Sequence, residues 1–309
     1  MTNEIINTRQ KIRKRLDQFI QLWTGKSDDL SIFTSKIEMN AFQYGHVTGA
    51  NQIKTTLAKD IINHQLTIRP ENIYIAGQGN KATISTYLIG NLDNKDDHLT
   101  FQGTMILDLI KAESNWLINK IQLIHGTDNH LTLHHWKQSF NYRRFWQPSD
   151  PTAVIISEFD SPWKKYPHNE FAPTDRKQQI QDLFSKYAWG IDQADWDNLS
   201  DVFAEDAESD LMPMGHQIGR RNVFGQLRQF RLASQYLHHI GRVLNIDFTT
   251  DKTADVFLGR LISEQDIEKK SGQRLYGAYY EIKTRLEDDR KWRFTFMSYQ
   301  PRWFTYKED

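Results

Sequence analysis

One spacing occurs twice in the chain and restricts its fold more than any other feature. Phe33 is followed by eleven residues, then Gly45-His46-Val47-Thr48-Gly49, three more residues and Ile53. Phe203 is followed at the same intervals by Gly215-His216-Gln217-Ile218-Gly219 and Val223. A single shared Gly-His pair would carry little weight. Five terms in register, with Gly45 answered by Gly215, mark a supersecondary unit written twice in one chain of 309 residues.

The flanks extend the repeat. Ile12, Leu16, Phe19, Ile20 and Trp23 form an apolar stripe at helical spacing, ended by Gly25 and restarted at Ser27-Asp28-Asp29-Leu30. Ile180, Leu183, Phe184, Tyr187, Ala188 and Ile191 form the matching stripe, with a new helix expected near Asp195-Trp196-Asp197-Asn198-Leu199. Downstream, the pattern turns to alternation. Strands are predicted over 67–76, 82–91, 99–109 and 116–124, and again over 238–248, 254–263, 274–286 and 291–299, with turns at Ser271-Gly272 and Asp288-Asp289-Arg290. Each half therefore reads as α+β, helices first and an antiparallel meander after.

Five of the eight prolines fall between residues 147 and 173. Proline lacks a backbone donor and restricts its predecessor, so the segment is predicted to be extended. Its aromatics Phe159, Trp163, Tyr166 and Phe171 point to packing against a domain surface. The division expected is 1–146, a linker over 147–173, and 174–309.

Charge and composition then remove whole classes of function. Lys and Arg number 39 against 39 Asp and Glu, so the basic field that attracts nucleic acid or anionic membrane is missing. Without cysteine there is no disulfide, no thiolate nucleophile and no cysteine zinc site. The polar start MTNEIINTRQKIRKR has no secretory pattern, and no apolar run approaches a membrane span, so a cytoplasmic location is expected. No phosphate loop, nucleophile elbow or dinucleotide fingerprint occurs.

In the second half, Tyr187-Ala188-x-x-Ile191-Asp192-x-x-Asp195-Trp196-Asp197-x-Leu199 is followed by Val202-Phe203-Ala204-x-Asp206-Ala207, Gly215 to Gly219, His238-His239-Ile240-Gly241 and Lys291-Trp292-Arg293-Phe294. This set covers nearly all of 175–303 and resembles the SnoaL-like branch of the nuclear transport factor two-like superfamily. The first half resembles the superfamily through its repeat with the second. The resemblance implies two copies of a cone, with N-terminal helices packed on a curved antiparallel sheet, and an apolar pocket inside. It does not name one reaction, because relatives include scytalone dehydratase, bile-acid 7α-dehydratase, ketosteroid isomerase, polyketide cyclases and noncatalytic assembly domains.

In the dehydratase relatives a Tyr and an Asp on the first helix face a His on the first long strand. The matching positions are Tyr187, Asp192 and His238. A His of near-neutral pKa can take the acidic proton beside a carbonyl, a Tyr hydroxyl can assist the carbonyl or the leaving hydroxyl, and an Asp can fix the imidazole tautomer. Strict alternation puts His238 with Ile240, Leu244, Ile246 and Phe248 on the apolar face, and a bulge would exchange His238 with His239. His239, Trp292 and Arg302 are the substrate-binding candidates, Arg302 as a carboxylate or enolate holder if the last strand continues past Pro301. The same residue types also serve as core or capping groups.

In the first half, Gln18 and Trp23 stand where Tyr187 and Asp192 stand, and His64 lies near the His238 position without an evident partner. That copy is therefore expected to be noncatalytic. His46 and His216, each between the two glycines of a strand-to-helix connection, are read as local turn chemistry. His125, His130, His134 and His135 cluster, but on a strand or loop pattern, so no metal site is expected. The function expected is a cofactor-independent dehydratase or isomerase acting on a hydrophobic hydroxy-carbonyl molecule in the C-terminal cone. The alternative is a noncatalytic binding or assembly module, the two domains pairing within the chain, with homo-oligomers also open.

Overall fold

The computed structural model describes residues 2–95, 98–126, 133, 135–136, 153–233, 238–261 and 277–301. It divides into two compact units, Met1–Pro173 and Thr174–Asp309.

In the first unit, α1 (Thr2–Trp23) is followed by β1 (Phe33–Ala41), β2 (Gly45–Thr48), α2 (Ala50–Leu57) with a 3₁₀ turn (Ala58–Ile61), and the strands β3 (Gln65–Gln78), β4 (Lys81–Asp93), β5 (His98–Ala112) and β6 (Asn115–Gly126). Two short helices, α3 (Ser157–Asp160) and α4 (Pro162–Lys165), close it. The second unit runs α5 (Arg176–Asp192), α6 (Trp196–Asp201), β7 (Phe203–Leu211), β8 (Gly215–Ile218), α7 (Arg220–Ala233), β9 (Gly241–Phe248), β10 (Thr253–Arg260), β11 (Ala278–Leu286) and β12 (Trp292–Pro301). The sheet orders are the same, β2-β1-β6-β5-β4-β3 and β8-β7-β12-β11-β10-β9. Both units are α+β cones of one topology.

The apolar stripes explain the packing. Ile12, Leu16, Phe19 and Trp23 are fully buried on one face of α1, and Ile180, Phe184, Tyr187, Ala188 and Ile191 on α5. Asp175 caps α5 by accepting the Gln178 backbone N–H at 2.9 Å. The repeated glycines have a physical reason as well. Gly45, Gly49, Gly215 and Gly219 all have φ between 79° and 86°, a region that disfavours side chains, where β2 and β8 begin and where α2 and α7 start.

Two sequence expectations need correction. The four-strand meanders are antiparallel as expected, but each whole sheet is mixed, because β1 pairs parallel with β6 and β7 with β12. Both pairings join strands far apart in sequence, which local alternation cannot reveal. The proline-rich segment is not wholly extended, since Pro162 opens α4 at the first helical position, where a missing N–H costs nothing. Its described part packs on the first unit: Trp163 stacks on Tyr74 at 4.1 Å, Phe171 meets Trp116 edge-on at 5.6 Å, and Arg9 donates to the Phe171 carbonyl at 2.7 Å. Phe159, by contrast, is 86% exposed. Among the described residues, no helix is long and apolar enough to cross a membrane.

Helix α5 approaches α6 so closely that a Cβ on Gly190 would stand 2.9 Å from the Leu199 backbone. Gly190→Ala is therefore expected to lower stability by about 1–2 kcal/mol, overpacking exceeding the gain in helix propensity. Urea midpoints of parent and variant check this; an unchanged or raised midpoint would mean that α6 moves away without cost. Beneath α5, Lys186 and Arg293 bind Asp201 at 2.5 and 2.8 Å. Burial pushes the Asp201 carboxyl up, but these cations outweigh it and hold it at about 2.

Candidate functional site

The last residue of α5, Asp192, is 1% exposed and uses both carboxylate oxygens on one neighbour. Oδ2 accepts the backbone N–H of His239 at 2.6 Å, and Oδ1 lies 2.5 Å from Nδ1 of the same residue. Burial pushes the His239 imidazole below its usual value, with Asp192 opposing, so the ring is neutral at pH 7. With the Nδ1 proton directed at Asp192, Nε2 carries the lone pair. Such a nitrogen is a base in a fixed orientation.

Tyr187, on the same helix, stands edge-on to His239 with ring centroids 5.9 Å apart. Phe184, Phe203, Tyr280 and Phe294 surround it at 5.8–6.3 Å. Burial, followed by the nearby Tyr280, pushes the Tyr187 hydroxyl well above its usual range, so it is a neutral donor.

Arg260, at the end of β10, is 9% exposed and pairs across the ladder with Gly241. Its Nη1 donates to the Tyr299 hydroxyl at 3.3 Å, while its Nε has no partner among the described residues. Among the described residues this buried guanidinium has an idle N–H and no ion pair within contact, though it feels the charge of Asp192, and such a group is suited to an anionic oxygen.

A family model described as "SnoaL-like domain" matches residues 173–298. The C-terminal region is a SnoaL-like domain. Similar solved structures include a candidate scytalone dehydratase of Novosphingobium aromaticivorans, 14% identical, covering 43% of this chain and 94% of that one, with a TM-score of 0.37. A hexachlorocyclohexane dehydrochlorinase of Novosphingobium barchaimii is 18% identical over 42% of this chain and 89% of its own, with a TM-score of 0.32. An NTF2-like protein with a cystatin-like fold, also of Novosphingobium aromaticivorans, is 8% identical over 41% and 85%, with a TM-score of 0.36. No curated protein sequence matches the chain.

The SnoaL-like domain differs from the sequence expectation in which histidine meets Asp192. His238 is buried, but the carboxylate engages His239. The reason is a bulge. Phe257 pairs with Asn245 and Leu258 with Val243, leaving Leu244 outside the ladder and 41% exposed. Before the bulge the inward set is therefore 239, 241 and 243; a Cβ on Gly241 would meet the Phe184 ring at 2.6 Å. Trp292 is not with these groups, since its indole N–H donates to Gln179 at the opposite end of α5, 3.0 Å away. Arg302 lies outside the described residues. Arg260, which sequence reasoning missed, shares strand phase with Ala254, Val256 and Leu258, and a charge on that apolar face was the available signal.

The first unit has no Asp–His pair at the equivalent place. Its Trp23 donates instead to Asp60, in the 3₁₀ turn, at 2.8 Å. His64 is half-buried and lies 3.2 Å from Asn94. Of the histidine cluster, His130 and His134 lie outside the described residues. His125 is fully buried, with both ring nitrogens unpartnered among the described residues, and His135 lies 2.5 Å from Asp60. No set of three metal-ligating side chains gathers among the described residues.

Proposed function

We propose that the SnoaL-like domain is a cofactor-independent lyase that dehydrates a hydrophobic β-hydroxy-carbonyl compound, with isomerisation as the related outcome when no hydroxyl departs. The observation that carries this reading is the buried Asp192–His239 pair beside the idle Nε–H of Arg260 and the neutral Tyr187 hydroxyl. Nε2 of His239 takes the proton from the carbon next to the carbonyl, and the C–H electrons pass to the carbonyl oxygen as an enolate. Arg260 holds that developing charge. The enolate electrons return to form the carbon–carbon double bond as the β-hydroxyl leaves, and the proton held on His239, relayed with Tyr187 as hydroxyl donor, completes a molecule of water.

A chromophore follows the test directly. The full chain with a β-hydroxy aryl ketone is expected to produce the absorbance of the conjugated enone, and Arg260→Met to lower kcat about a hundredfold. Unchanged turnover in that variant would remove the guanidinium from the reaction.

One observation favours a second reading, a noncatalytic binding module: Tyr187 is 1% exposed and enclosed by rings on four sides. Binding of the ketone without any enone in the same mixture would select it.

A further inference from the structure

The lyase chemistry proposed for the second unit leaves unused a cluster in the first. Asp60 is 1% exposed and accepts four hydrogen bonds, from Trp23 at 2.8 Å, Tyr44 at 2.5 Å, Trp136 at 3.0 Å and Nε2 of His135 at 2.5 Å. Burial pushes its carboxyl up, but the bonds from His135, Tyr44 and Trp23 outweigh it and hold it below the usual range. The Tyr44 hydroxyl is pushed well above its own range by burial and then by Asp60. Asp60 is thus an ionised carboxylate whose acceptor sites are occupied by protein donors, which fixes both side chains in front of it.

Tyr44 and His135 are also the inner wall of an open cleft of about 340 Å³, completed by His46, Val47, Thr48, Gln52, Thr56 and Lys59. With Nε2–H donated to Asp60, Nδ1 of His135 is the ring nitrogen left for a ligand, and a ring carrying both protons donates from it to an anion while Asp60 balances the charge. Hydroxyls and an amide furnish further donors from Thr48, Thr56 and Gln52. No carboxylate lines the cleft, and among the described residues none pairs with Lys59. A polar cleft with an ammonium, two imidazoles and no acid on its wall selects negative charge.

We propose that this cleft binds a small anion, a carboxylate or a phosphate, through Lys59 and His135. The site belongs to the first unit, and the proposal does not depend on what the Asp192–His239 pair of the second does. Calorimetric titration of the full chain with succinate, and separately with inorganic phosphate, tests it. Saturable binding of at least one probe is expected, weakened about tenfold or more in Lys59→Met and in His135→Gln. Succinate alone identifies a carboxylate site, and phosphate alone a phosphate site. Lys59 is exposed, so its variant keeps the test decisive even if His135→Gln disturbs the Asp60 network. Absence of saturation with both probes at about 10 mM, or affinity unchanged by Lys59→Met, overturns the proposal.

Discussion

His239→Asn is expected to lower kcat for the β-hydroxy ketone by about a thousandfold or more, the scale of losing a positioned general base. The asparagine amide can still donate to Oδ1 of Asp192 as the imidazole Nδ1 does, and the backbone N–H bond to Oδ2 is untouched. What disappears is the lone pair on Nε2. KM should therefore change little while kcat collapses, which separates loss of chemistry from loss of fold. His238→Asn is expected to stay within a few-fold of the parent. If the loss followed His238 instead, the exchange of faces at Leu244 would not govern the reaction.

Lowering the pH from 7 to 4 is expected to cost the first unit about 3 kcal/mol through His125 alone. The ring is fully buried, held at 4.5–5.9 Å by Trp136, Phe101, Tyr44 and Trp23, and burial, only partly opposed by Asp60, brings its pKa from 6.5 to about 4. The unfolded chain takes a proton there near pH 6.5, the folded chain only near pH 4. The native state is thus favoured in full above pH 6.5, and the advantage drains away as the pH falls through that window. His125→Phe removes the titration and the two unpartnered nitrogens while keeping a ring in the aromatic box. Urea midpoints of parent and variant at pH 7 and pH 4.5 should diverge, the variant losing less. Parallel losses would show that His125 does not titrate against folding.

The repeat was readable because each term answers a backbone or core demand. Glycines stand where φ is positive, Phe33 and Phe203 begin buried strands, and Ile53 and Val223 are buried in the helices that follow. Helix α5 was readable from its stripe, and Tyr187 and Asp192 with it. The choice between two adjacent histidines was not, because a two-residue period holds only along an unbroken ladder and Leu244 interrupts it. Nor was the helical restart predicted at Ser27-Asp28 formed: the Ser27 hydroxyl accepts the Asp29 N–H, and Asp29 accepts the Ser31 N–H, turning the chain locally instead. Asp60 was invisible for another reason. Its partners are 16 to 76 residues away, and nothing in the local pattern of a short polar turn announces a buried carboxylate.

The two bonds of Asp192 answer to different masters. One reaches the main chain just ahead of β9, an edge strand, and would form whatever side chain stood at position 239. The other reaches the imidazole and exists only for a residue able to use it. On the lyase reading, a descendant of this domain that abandoned turnover would still be held to the aspartate by its architecture, while the histidine drifted. Aspartate kept with histidine lost would be the fossil of a former enzyme.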